Sequence, residues 1–256
     1  MPFADLKTGA RLFYEERGQG QPLLLLHGLL GTARRHFARV MDWLEADYHL
    51  YGLTLRGYGQ SAPKPRDFPL RFYHRDADDV LAFMDAVGIE RAHVLGYSDG
   101  GETALVAAGQ QPERFLSAAV IGAVGMFDAS IRPRIQSMYP GTWITDDEKA
   151  EHGIPDADAF VLGWIRSFSH YLDLGGSVSL DTAPLIACPL LMMLGDRDTL
   201  NPAAFARAYL ERVPDGRLEV FADCGHPVHD QKWDEFTQVY RAFLDAASRT
   251  TRDKNA

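Results

Sequence analysis

Only two cysteines, Cys188 and Cys224, occur in 256 residues, which excludes a disulfide-dense fold and a cysteine-built metal site. Reduced thiols are expected, with Cys188 a small core residue ahead of Pro189. Basic charge is also short: 26 Lys and Arg stand against 35 Asp and Glu, a formal net charge of −9. That excludes a nucleic-acid surface, which needs a basic patch to displace counterions, but leaves room for a small cationic substrate. No apolar run approaches the roughly 18 residues of a membrane span, so no membrane partner is expected. The opening Met1-Pro2-Phe3-Ala4-Asp5 lacks the basic and apolar regions of a secretion signal, and the expected location is the cytoplasm. Repeats and low-complexity tracts are missing, and the polar tail after Ala247 is expected to fray.

What is there is an ordinary globular composition, 46% hydrophobic and 24% charged, in a length that suits one large α/β domain with an insertion. Short apolar runs alternate with helical patterns from about residue 22 onward. Leu23–Leu26, His49–Leu55, His93–Gly96, Leu116–Ile121, Pro189–Leu194 and Leu218–Phe221 read as buried strands. His36–Leu44, Asp76–Val87, Phe205–Val213 and Trp233–Leu244 repeat apolar residues at helical spacing. Arg11–Glu16 is expected as an antiparallel edge strand. Such alternation predicts a parallel sheet with helices on both faces and a site at the strands' C-terminal ends. Residues 123–187 break it. They are helical, irregular and aromatic (Trp143, Phe160, Trp164, Phe168, Tyr171), which suits a helical lid inserted into a core of 1–122 and 188–256.

The most informative stretch is Val94-Leu95-Gly96-Tyr97-Ser98-Asp99-Gly100-Gly101, an apolar run that reaches G-x-S-x-G and then enters an Ala-rich helix. A sharp strand-to-helix turn pushes the serine out of the sheet and leaves free N–H groups at the helix start, where an oxyanion can be held. Ser98 is therefore the candidate nucleophile. Its base should follow an acid in chain order, which reduces the nine histidines to His226 and His229. His226, in the loop after the last strand, is favoured, and His229 is left as a helix-start or lid contact. The orienting acid is Asp196 or Asp198. Asp198 lies further out of its strand and is favoured, while Asp196 suits an ion pair with Arg197 or a turn cap. The loop His27-Gly28-Leu29-Leu30-Gly31 should supply the Leu29 N–H to an oxyanion hole completed by the Asp99 N–H, with His27 bracing it.

Asp99 is the oddity. Its backbone would hold a developing negative charge while its side chain carries one. At about 5 Å and an effective dielectric near 20, like charges cost roughly 3 kcal/mol. A substrate ammonium beside Asp99 would offset that; a helix-start position or an arginine partner would be the structural alternative.

These residues resemble the α/β-hydrolase family, and within it the biphenyl-hydrolase-like (valacyclovir-hydrolase-like) serine hydrolases. The resemblance runs from His27-Gly28 to the His226 loop. It is carried by Arg56-Gly57-Tyr58-Gly59-Gln60-Ser61, Arg66-Asp67-Phe68-Pro69 with Arg75-Asp76-Ala77, and Tyr97-Ser98-Asp99-Gly100-Gly101. It implies an α/β-hydrolase fold: a mostly parallel eight-stranded sheet flanked by helices, with an inserted helical lid. It further implies Ser98 as nucleophile, Asp198 as acid, His226 as base, and Asp99 as the carboxylate that binds the α-amino group of an amino-acid ester. Thr54 departs from the family pattern, which has Asp there. The expected function is hydrolysis of small carboxylic esters through an acyl-enzyme by a monomer or small homo-oligomer, with no metal or organic cofactor. The alternatives are a general carboxylesterase or lactonase without amine preference, a ligand-sensing protein with little turnover, and a serine-dependent lyase.

Overall fold

A computed structural model describes residues 2–254, with side chains for 2–249. The chain opens with β1 (Phe3–Asp5), β2 (Arg11–Arg17), β3 (Gln21–Leu26), α1 (Ala33–Leu44) and β4 (Tyr48–Leu53). It continues through α2 (Phe72–Val87), β5 (Ala92–Tyr97), α3 (Asp99–Gln110) and β6 (Phe115–Ile121). Three helices follow without a sheet strand: α4 (Arg132–Gln136), α5 (Asp146–His152) and α6 (Ala157–Asp173). The sheet resumes with β7 (Leu190–Gly195), α7 (Ala203–Leu210), β8 (Gly216–Phe221), α8 (Val228–Gln231) and α9 (Trp233–Lys254).

The eight strands lie in the order β1-β2-β4-β3-β5-β6-β7-β8, with β2 antiparallel to both its neighbours and the other pairs parallel. Strand β3 shows why the apolar runs make this sheet. Successive side chains point to opposite faces, so Leu24 and Leu26 enter one core while Leu23 and Leu25 enter the other. Helices α2, α3, α6 and α7 cover the first face; α1 and α9 cover the second. All four leucines are fully buried, and truncating one to alanine costs about 2–5 kcal/mol.

Three sequence expectations are corrected. Arg11–Arg17 is antiparallel but is not the edge, because β1 pairs outside it; three residues are too few to show a period. The strand expected to reach Leu55 ends at Leu53, since the Leu55 N–H turns to His27 Nε2 at 2.9 Å. The tail expected to fray after Ala247 continues α9 to Lys254, and positions 255 and 256 lie outside the described residues. Cys188 and Cys224 are both buried and free.

Candidate active site

Three loops at the C-terminal ends of β5, β7 and β8 bring Ser98, Asp198 and His226 together. Ser98 sits between β5 and α3 with φ 55 and ψ −122, a left-handed conformation that is costly for a residue with a side chain. The turn closes only because its neighbours are small: a Cβ on Gly96 would strike the Gly100 carbonyl. His226 Nε2 lies 2.9 Å from Ser98 Oγ, and His226 Nδ1 lies 2.7 Å from Asp198 Oδ2. Since the carboxylate only accepts, Nδ1 carries the proton and Nε2 is free to accept from the serine.

Asp198 is nearly inaccessible. Burial alone would raise its pKa, but the His226 hydrogen bond and charge, with the Leu200 and Asn201 amides on Oδ1 (2.9 and 3.1 Å), hold it below the usual range. The competing candidates lie elsewhere. Asp196 accepts from the Cys224 N–H at 3.1 Å, and Arg197 pairs with Asp223 instead. His229 is buried at the start of α8, donates Nε2–H to the His36 carbonyl at 3.1 Å and stacks on Phe37.

The loop after β3 packs directly on Ser98: a Cβ at Gly28 would stand 2.9 Å from the Ser98 Cβ. The Leu29 amide begins one residue on, and the Asp99 amide is the first of α3, where a helix leaves its N–H groups without internal partners. His27 fixes the plane of the peptide that carries the Leu29 N–H. Its Nδ1–H donates to Gly28 O at 2.8 Å, the opposite end of that same unit, and its Nε2 accepts from Leu55. Burial holds the His27 pKa well below the ordinary histidine value, so the ring stays neutral and can do both. His36 Nδ1 takes the Gly28 N–H at 3.2 Å.

Asp99 does not cap its helix with its side chain. Its Oδ1 accepts the Tyr73 hydroxyl at 2.7 Å and its Oδ2 accepts Trp164 Nε1–H at 3.2 Å. Burial pushes its pKa up to about 6, against the lowering effects of Tyr73, Arg66 and Trp164. Arg66 is itself held by Asp76 at 2.9 and 2.5 Å. Asp99 and Ser98 face one cavity of about 40 Å³, lined also by Phe127, Ile135, Trp164, Phe168 and Glu102. A cavity holds a water from about 10–15 Å³ upward, so this one admits an ammonium-sized group with little to spare.

Sequence reasoning missed Tyr73, Glu102 and His152, and named Trp164 only as a lid aromatic. Glu102 carried a signal, being an acid that follows Asp99 into the first turn of an Ala-rich helix. Its carboxylate accepts from Val124 and Gly125 N–H at 2.8 and 3.1 Å, and burial raises its pKa to about 7. Thr54, the departure from the family pattern, is buried with no partner for its hydroxyl among the described residues.

A family model for the alpha/beta hydrolase fold matches residues 21–157, and the chain belongs to that family. Within it, the chain is similar to serine hydrolases. It is 31% identical to serine hydrolase BPHL of Mus musculus over 248 residues, covering 93% of this chain and 84% of that protein. It is 26% identical over 263 residues to the 2-hydroxy-6-oxo-6-phenylhexa-2,4-dienoate hydrolase of Comamonas testosteroni, covering 91% of each. Among solved structures, a meta-cleavage product hydrolase from Pseudomonas fluorescens superposes with a TM-score of 0.74 at 20% identity, covering 96% of this chain and 98% of that one. That likeness concerns the fold. Among the described residues, no helix is long and apolar enough to cross a membrane.

Proposed function

We propose that this chain is a serine hydrolase of small carboxylic esters that prefers α-amino-acid esters. The supporting observation is the unbroken hydrogen-bond chain Ser98–His226–Asp198 opening on a cavity that also contains the Asp99 carboxylate. Ser98 Oγ attacks the ester carbonyl as His226 Nε2 takes its proton. The carbonyl oxygen becomes an oxyanion, received by the Leu29 and Asp99 amides. His226 returns the proton to the leaving alkoxide, the C–O bond breaks, and an acyl-Ser98 remains. Water then attacks it, again giving its proton to His226, which passes it to Ser98 as the acid departs.

Asp99 would receive the substrate's ammonium. A carboxylate whose pKa burial has raised gains from a cation beside it, and the bound charge also offsets its repulsion of the oxyanion. Residues 123–187 would act as a lid, since α6 supplies the Trp164 contact to Asp99. One observation favours the amine-indifferent esterase: Asp99 already has two neutral donors.

The test compares kcat/KM for an alanine ester and its des-amino propionate analogue. We expect the amino ester to be favoured at least tenfold. In Asp99→Ala that ratio should collapse toward one while the propionate ester is still turned over. A wild-type ratio near one would remove the amine preference and leave the general esterase.

A further inference from the structure

The oxyanion loop contains a strained residue that its own sequence does not explain. Gly31 N–H closes on Gly28 O at 3.1 Å, forming a four-residue turn. Leu30, its third residue, has φ 53, whereas Leu29 is not among the positive-φ residues. That combination is a type II turn, which calls for glycine or asparagine where Leu30 stands. A leucine there would relax by flipping the Leu29–Leu30 peptide to the type I form, in which its φ is negative. Something must hold the strained form.

His27 and His36 both act on Gly28, at the start of the turn. The other end is held from outside the sheet. His152, the last residue of α5, donates Nε2–H to the Leu30 carbonyl at 3.0 Å and accepts the Gly59 N–H on Nδ1 at 3.0 Å. Its ring is fully buried, edge-on to Tyr58 at 5.3 Å. The helix that carries it is fixed in turn. Thr145 and Glu148 form a capping box at its start, Gly153 ends it at φ 63, and Arg35 of α1 binds Glu148 and Glu151 at 3.1 and 3.0 Å.

We infer that His152 is a positioning residue for the oxyanion hole: through Leu30 it holds the turn in the form that presents the Leu29 amide to Ser98. This rests on the serine-hydrolase reading above. It makes the segment between β6 and β7 a part of the catalytic geometry, beyond its service as a cover. Without the His152 contact the Leu29–Leu30 peptide is free to flip, and the turn relaxes against the Gly28–Leu29 unit that His27 holds. The donor amide then shifts without being lost, while Ser98, His226 and Asp198 stay in place.

The two ring nitrogens can be separated by substitution. Glutamine reaches about as far as Nε2 and keeps a donor for Leu30 O; asparagine reaches only as far as Nδ1 and keeps the acceptor for Gly59. Turnover of 4-nitrophenyl butyrate would be measured for His152→Gln, His152→Asn and the double variant Leu30→Gly/His152→Asn. Rates would be normalised to active sites labelled by a fluorophosphonate, with Tm recorded for each.

We expect His152→Asn to lose about tenfold in kcat with KM little changed, less than the roughly hundredfold or more that follows loss of an entire oxyanion donor. His152→Gln should stay near wild type. Leu30→Gly should restore the Asn variant, since glycine takes positive φ at no steric cost. Equal kcat in the Gln and Asn variants, or a fall in Tm with no change in kcat, would overturn the inference. Should the Asn variants fail to fold, Arg35→Ala at the surface loosens α5 alone; a lowered kcat supports the inference and an unchanged one contradicts it. A wild type inert to the ester would instead remove the hydrolase reading.

Discussion

Tyr73 donates its hydroxyl to the Asp99 carboxylate across 2.7 Å, from α2, a helix that contributes nothing to the Ser98–His226–Asp198 chain. Tyr73→Phe keeps the ring and deletes that donor. Hydrogen bonds to charged groups are worth about 1.5–3 kcal/mol, roughly one to two pKa units. The Asp99 pKa should therefore climb from about 6 past neutrality. The expected outcome at pH 7 is a several-fold fall in the amino-to-des-amino ratio of kcat/KM, with the des-amino ester little affected. A ratio that does not move would separate Asp99 from substrate recognition.

The same carboxylate sets a pH window in the wild type. Its pKa is raised, so it is ionised above about 6 and takes a proton as the pH falls through that value. At the upper end the substrate's own α-amino group loses its proton near pH 7.7–8.0, by the roughly typical value for such groups. Because both esters share the nucleophile and base, their ratio cancels every titration common to them. The ratio should peak between these limits and fall on both sides; a flat ratio from pH 5 to 9 would contradict ammonium binding.

Asp198→Asn tests the orienting acid. An asparagine Oδ1 can still accept the Leu200 and Asn201 amides, so the loop should hold. Its amide donates toward His226 Nδ1 and stabilises the wrong tautomer. The kcat should fall by about 10⁴ with Tm nearly unchanged. A loss below tenfold would assign the role elsewhere, although Asp196 is committed to the Cys224 amide.

Much of this arrangement was legible in the chain. Strands β6 and β7 announced themselves as short apolar runs because both sheet faces are covered there and every position in them is buried. Strands β3 to β5 are buried at nearly every position, whereas β8 is largely exposed and was marked by its apolar residues and its place after α7. Ser98 was marked by the flanking glycines, and His226 and Asp198 by chain order after their strands. The contacts to Asp99 were not legible. Tyr73 and Trp164 reach it from α2 and α6, and neither carries a local pattern that points across such a separation. The helix bearing Tyr73 starts at Phe72, four residues before its apolar period becomes clear at Asp76. His152 was silent for the same reason: its meaning lies in the Leu30 carbonyl.

Acid should destabilise the fold. His27, His36, His152 and His229 all have lowered pKa values, chiefly from burial, with His36 at about 3. For each, the unfolded chain binds a proton below about pH 6.5 that the folded chain refuses. Stability is therefore lost as pH falls below that value, by at most about 1.4 kcal/mol per pH unit for each ring. Asp99 and Glu102, raised to about 6 and about 7, act in the opposite sense over part of the range, because their folded forms keep protons that the unfolded chain releases. His74 and His93, lowered to about 4 by burial, add to the four histidines, and Asp78, raised by burial, joins the carboxylates. The six rings outweigh the three acids, and Tm should fall between pH 7 and pH 5. A Tm that holds or rises over that interval would show that these rings are not held neutral.

The most direct measurement is peptide mapping by mass spectrometry after brief exposure to a fluorophosphonate, on the wild type, Ser98→Ala and His226→Ala. We expect a single stoichiometric adduct on Ser98, absent from the Ser98 variant and formed far more slowly without His226. An adduct on another residue, or none while an ester is still turned over, would contradict Ser98 as the nucleophile.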